Sequence, residues 1–165
     1  MTEDDHVKEV YAHFGLAMYM AQVLEHGIVN AFVFLNLLPK TEGKWSPDEF
    51  EHYMNTEFEK TLGRLIGKLR TLTTIDNDFE DLLGNTLKKR NWLAHDYFRE
   101  RAEEFMSSTG RNLMIKELQE SRDLFKEADR QLDVIITPLM KKVGLTDEIV
   151  EEHLRKMKQR ANSDL

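Results

Sequence analysis

The sequence predicts an all-α fold, an antiparallel bundle of four main helices followed by a short C-terminal helix. Three observations predict it. Apolar residues recur every three or four positions over long stretches, the period of one helical face. The breaks between those stretches carry helix-capping and turn residues. No stretch shows the alternation or β-branched enrichment of a strand, and there is no internal repeat.

The first predicted helix runs from about Asp5 to Leu38. Val7, Tyr11, Phe14, Met18, Ala21, Leu24, Ile28, Phe32 and Leu35 step along one side without interruption. Pro39 and the polar run from Lys40 to Lys44 are expected to end it. Ser46, Pro47 and Glu49 form a strong start for the second helix: a capping serine, a proline at the first helical position and a capping-box glutamate. That helix is predicted to reach about Leu72, with Phe50, Met54, Phe58, Leu62, Leu65 and Leu69 inward. Gly63 and Gly67, one turn apart, suggest close approach of another helix.

Thr73–Asn77 breaks the chain, and the third helix starts near Asp78. Its stripe reads Phe79, Leu83, Leu87, Ala94 and Tyr97. Residues 99–107 are charged and helix-compatible, and Ser107–Gly110 forms the next break. The fourth helix is expected from about Asn112 to Val143, with Pro138 kinking its last turns and Gly144 stopping it. Thr146, Asp147 and Glu148 then cap a short helix over about 149–160, whose few apolar positions suggest an appendage or interface arm. The domain reading is a helical bundle over 1–145 and a short helix and tail over 146–165.

Composition narrows the function. There is no cysteine, which excludes a disulfide framework, a thiolate metal site and a cysteine nucleophile. No run of about eighteen apolar residues occurs, so no transmembrane helix is expected. The acidic start reads against a basic-headed leader, and the expected location is cytoplasmic. Residues 1–57 carry the whole net charge of −7, and the rest of the chain is balanced. A broad electrostatic footprint for duplex nucleic acid is therefore not expected, whereas a local grip on one or two phosphates is compatible with the cluster Lys88-Lys89-Arg90.

That cluster opens the one segment where strong polar chemistry interrupts an apolar helical pattern. Arg90 lies three residues after Leu87 and four before Ala94, where the helix period calls for an apolar side chain. A guanidinium keeps its charge, so it needs an anionic partner or a polar cavity; Glu25, in the middle of the first helix, is a candidate. Asn91 and His95 are one turn apart and therefore neighbours. Arg90 and His95 are about 140° apart around a straight helix. Either the helix bends between them, or the two side chains flank a groove that a second subunit completes. The segment thus combines a phosphate-binding cation, a hydrogen-bonding amide and an imidazole, the side chain that titrates near neutral pH.

Arg90-Asn91-x3-His95-x-Tyr97 resembles the signature of the HEPN superfamily, small helical domains of prokaryotic defence and toxin systems, and is most similar to that of the HepT toxins. The resemblance covers about eleven residues directly. It implies a metal-independent endoribonuclease in which two copies of the motif meet across a two-fold homodimer interface. RNA cleavage would leave 2′,3′-cyclic phosphate and 5′-OH ends. The implied site residues are Arg90, Asn91, His95 and Tyr97, with His95 as general base, Arg90 on the scissile phosphate and no cofactor. Tyr97 would also be the residue that a cognate nucleotidyltransferase-like antitoxin adenylylates. The alternative is a non-catalytic HEPN-like dimer serving as an interaction or nucleotide-binding module. A metal site is not expected: Glu3-x-x-His6 and Glu49-x-x-His52 sit at helix starts and lack inward glutamates to complete a di-iron set.

Overall fold

The computed structural model describes residues 2–163; Met1 lies outside the described residues, as do Asp164 and Leu165 at the end of the expected C-terminal tail. Every regular element among them is helical, so the all-α class holds. The long segments are α1 (Glu3–Phe32), α3 (Pro47–Phe58), α4 (Leu62–Leu72), α5 (Asn77–His95), α8 (Ser108–Lys142) and α9 (Asp147–Ser163). Short pieces fill the corners: α2 (Leu38–Thr41), α6 (Tyr97–Glu100) and α7 (Ala102–Phe105). By compactness the chain divides into 1–132 and 133–165, a boundary inside α8.

The starts of the helices follow the sequence signals. Thr2 and Asp5 form a capping box at α1, and Ser46 and Glu49 form one at α3. Asp76 accepts the Phe79 amide at 2.8 Å to cap α5. Several boundaries differ from expectation. The first helix does not stop before Pro39. Val33–Leu37 widens into a π-helical turn in which the Leu38 amide reaches back to the Val33 carbonyl. Pro39 then falls in the first turn of α2, where a missing N–H costs little. The helix ends instead where Glu42 and Gly43 adopt positive φ of 53° and 74°. The run Glu3–Thr41 is long and apolar enough, by length and composition, to cross a membrane. Between Val10 and Pro39 its only charged residue is Glu25, which with His13, His26 and the amides of Gln22, Asn30 and Asn36 interrupts any unbroken apolar run.

The second expected helix is in fact two, α3 and α4, separated at residues 59–61. Glu57, buried at this corner, binds Lys60 at 2.7 Å and Lys68 at 2.6 Å, so one carboxylate ties the end of α3 to α4. Lys68 also lies 4.6 Å over the Phe32 ring and 5.2 Å over Tyr53. Burial opposes ionisation of Glu57, but the two lysines overcome it and hold its carboxyl below the usual range. Of the expected glycine pair, only Gly63 faces a neighbouring helix, at 3.5 Å from Leu87; Gly67 faces open space. A tighter approach lies elsewhere. A Cβ on Gly110 would stand 2.1 Å from the Glu104 carbonyl oxygen, so the α7–α8 corner admits no side chain there.

Within 1–132, α1 is the central element, packed against α3, α4 and α5. Val10, Ala17, Leu24, Ile28 and Phe32 of α1 are fully buried, with Leu65, Ile66 and Leu69 of α4, Leu83 of α5 and Leu118 and Phe125 of α8. Each such large side chain contributes about 1.5–3 kcal/mol by leaving water. α1 meets both α5 and the start of α6: Glu25 pairs with Arg90, and Phe14 stacks on Tyr97. At the other end of the core, His6 and Arg111 are buried together, and His6 Nε2 is 3.0 Å from the Asn112 side-chain oxygen. Within 133–165, α9 leaves Ile149, Leu154 and Met157 exposed.

Candidate functional site

α5 is regular from Asn77 to His95. No break in the helix separates Arg90 from His95, so the two stay about 140° apart around it. The helix ends inside the motif, at Asp96, and restarts as α6 with Tyr97. The buried stripe is Phe79, Leu83, Thr86 and Leu93, continued by Tyr97. Ala94 is exposed and Leu93 occupies the place expected for it. Arg90 falls between Thr86 and Leu93 in that stripe, as its spacing required.

The stripe turns Arg90 towards α1. Its Nε donates to Glu25 Oε1 at 3.2 Å, and its Nη1 donates to Asn91 Oδ1 at 3.3 Å. The pair is half-buried, with 27% of the Arg90 side chain and 20% of the Glu25 side chain exposed. A guanidinium carries about five N–H donors. Two have partners here, and the remaining donors are open among the described residues. Asn91 and His95 are both exposed, one turn apart on the flank of α5 adjoining Arg90.

Tyr97 is placed differently. It is 1% exposed, and its hydroxyl donates to the Met114 carbonyl oxygen at 3.2 Å. Its ring stacks on Phe14 and meets Trp92 and Phe98 edge-on. Burial, reinforced by the nearby Glu117 carboxylate, pushes its phenol well above the usual range. The four expected residues thus separate into Arg90, Asn91 and His95, which reach solvent, and Tyr97, which belongs to the core.

The side of α5 away from Arg90 carries residues that the motif did not single out. Asn85, Lys88, Lys89 and Trp92 line a groove of about 530 Å³ with Arg101, Glu117 and Leu124. Lys89 Nζ lies 4.4 Å over the Trp92 ring, and the Arg101 guanidinium lies 5.1 Å from it. Trp92 Nε1 donates to Glu100 at 2.7 Å. Arg101 is held by Glu117 through two hydrogen bonds of 2.9 and 2.8 Å, and this ion pair raises its affinity for its proton. A tryptophan three and four residues after two lysines was the available signal, because those spacings share a helical face. No group of three or more His, Asp or Glu is placed to hold a metal ion among the described residues.

Chemically, the motif surface offers an exposed imidazole that can exchange a proton and a guanidinium with donors to spare for an oxyanion. On one straight helix the two point in different directions. No family model, curated protein or solved structure matches the chain.

Proposed function

We propose that the chain is a HEPN-like endoribonuclease that works without metal, its site assembled from Arg90, Asn91 and His95 of two copies related by a two-fold axis. One observation carries the reading: Arg90 is anchored by Glu25 yet keeps unpartnered donors, beside an exposed Asn91 and His95. A cation fully consumed by its carboxylate would point to a structural role. The straight course of α5 supports the second copy, because one protomer cannot turn both Arg90 and His95 to the same phosphate.

In this mechanism His95 takes the proton of a ribose 2′-OH, and the 2′ oxygen attacks the adjacent phosphorus. The bond to the 5′ oxygen breaks, that oxygen gains a proton, and the products are a 2′,3′-cyclic phosphate and a 5′-OH. Arg90 stabilises the charge gathering on the non-bridging oxygens, and Asn91 orients the guanidinium it already touches. Glu25 is a positioning residue that fixes Arg90 through Nε and leaves the outer nitrogens for substrate. Tyr97 supports the site from beneath.

We infer the finer architecture on the same footing, as a bundle of four main helical segments, α1, α3–α4, α5 and α8, with α9 as the short C-terminal helix. Glu25 meeting Arg90 while Phe14 meets Tyr97 supports it, the order expected of antiparallel neighbours. The reading also places the protein in the cytoplasm and gives it a nucleotidyltransferase-like antitoxin. Adenylylation at Tyr97 would require α6 to part from α8, because the phenol is bonded to Met114.

The test is cleavage of single-stranded RNA by the purified protein in EDTA, with analysis of the product ends. Cyclic phosphate ends are expected, with activity about 10²–10⁴-fold lower in His95→Ala. Loss of cleavage on chelation, restored by a divalent metal, would contradict the mechanism. So would a protein that sediments as a monomer at micromolar concentration while fully active.

A further inference from the structure

We propose that the Trp92 groove is a second binding site, one that takes a nucleotide of single-stranded RNA away from the scissile bond. Lys88 and Lys89 hold its phosphates, and Trp92 with Arg101 offers flat surfaces to its base. The identity of the ligand rests on the ribonuclease reading; the groove itself does not.

Neither Lys88 nor Lys89 has an ion-pair partner among the described residues, whereas Arg101 is already paired with Glu117. Two free lysines one residue apart therefore stand at the edge of a cavity whose other cation is neutralised. An anion entering there meets net positive charge without competing with a carboxylate for Lys88 or Lys89.

The shape adds a base-sized surface to the charge. Trp92 is half-buried, and three contacts set its ring. Glu100 accepts its N–H, Tyr97 meets it edge-on at 4.9 Å between centroids, and Lys89 lies over it. A pre-set indole costs little entropy to present to a ligand. Cations alternating with an aromatic plane suit single-stranded nucleic acid, whose bases stack on rings while its phosphates meet lysines. The Asn85 amide can bond a base edge or a 2′-OH. The volume of about 530 Å³ is within the range of small-ligand sites.

Position links the groove to the motif. Lys88 precedes Asn91 by three residues and His95 by seven, and Trp92 precedes His95 by three, so both border the His95 face, while Lys89 lies further round. An RNA strand crossing α5 at Lys88 would place one phosphate by His95, where Arg90 of the second copy meets it, and a neighbouring nucleotide in the groove. The groove would then contribute to substrate affinity and to strand direction rather than to bond cleavage.

The experiment uses Trp45→Phe, which leaves Trp92 as the sole tryptophan. A 2′-O-methyl oligonucleotide of about ten residues, which cannot be cleaved through its 2′ position, is titrated while Trp92 emission and the anisotropy of a terminal dye on the oligonucleotide are read. A saturable change in Trp92 emission is expected, in step with the anisotropy. Replacing Lys88 and Lys89 together by alanine should weaken binding at least tenfold. It should also flatten the plot of log K against log salt by about 1.4, two phosphate contacts at about 0.7 each. Circular dichroism checks that the variant is folded. Lys88→Arg with Lys89→Arg, which keeps the charge, should retain binding.

Binding that leaves Trp92 emission unchanged, or that the double alanine variant retains, overturns the proposal. So does an emission change with inorganic phosphate alone and none with the oligonucleotide. Binding without any cleavage of natural RNA by the unmodified protein would leave the groove standing and remove the ribonuclease reading. Cleavage with no response at Trp92 would do the reverse.

Discussion

Glu57 and Arg90 each carry a charge into the space between two helices, and each meets its opposite there. At Glu57 the carboxylate is 5% exposed and one oxygen is held by both Lys60 and Lys68, at 2.7 and 2.6 Å. Aromatic rings close over Lys68. At Arg90 a single 3.2 Å contact reaches Glu25, more than a quarter of the side chain is open, and donors remain to be filled. The first arrangement gathers two cations onto one buried acid and joins α3 to α4. The second holds a cation in place without using it up. Both groups leave capacity unfilled, Glu57 at an Oε2 sealed from solvent and Arg90 at donors on a side chain that is 27% exposed, and that access separates a joint of the fold from a site for an incoming ligand.

Breaking each centre should give effects of different size. Lys68→Ala removes a charge-assisted hydrogen bond to a buried carboxylate and two cation–ring contacts, with Lys60 left as the remaining partner. A loss of about 1.5–3 kcal/mol is expected, and a protein of this length shifts its melting temperature by about 2–4 °C per kcal/mol. A change below 1 °C in calorimetry would show that the Glu57 centre is not the joint described here.

Tyr97→Phe sharpens the comparison from the core side. It removes the bond to the Met114 carbonyl but keeps the ring among Phe14, Trp92 and Phe98. A cost of about 0.5–1.5 kcal/mol is expected in urea unfolding, with RNA cleavage per folded molecule within a few-fold of wild type. Cleavage falling as far as in His95→Ala would return Tyr97 to a reacting role.

The smallest effect is in pH. Glu57 titrates below its ordinary range in the folded state. The stability it contributes is therefore complete above the unfolded value and is lost as pH falls through the lowered folded value. Replacing Glu57 by Gln should lower stability at neutral pH and flatten the acid limb below about pH 4.5. An unchanged acid limb would mean that the two lysines do not act on this carboxylate.

What was legible in the sequence divides along a physical line. Helix starts were, because caps are local: Ser46, Pro47 and Glu49 form theirs within four residues. Arg90 was too, since a cation at a stripe position is visible in the period itself, and Glu25 could be named as its candidate partner. The split between α3 and α4 was not, because no glycine or proline marks it and the corner is held by Lys68, eleven residues from Glu57. The π-helical turn was hidden because proline usually ends a helix, and only tertiary packing shows that α1 widens rather than stops. Tyr97 was misleading in a different way. Its place in the motif suggested reactivity, while its place in the stripe, seven residues after Arg90, already put it in the core. Trp92 and Arg101 meet only because α5 ends at Asp96 and the chain turns back through α6 and α7, a corner that no local signal marked.

The most direct test of the account is residual RNA cleavage by Arg90→Ala, measured on protein shown by calorimetry to be folded. A half-exposed pair of this kind contributes about 0–1 kcal/mol, so the melting temperature should move by no more than about 4 °C. Cleavage should nevertheless fall by about 10²-fold or more, the scale expected when a preorganised donor to transition-state charge is removed. Full cleavage by the folded variant would contradict the account, because Arg90 would then be neither joint nor site. A variant that cannot fold would contradict it as well, because it would place Arg90 with Glu57 among the residues that hold the helices together.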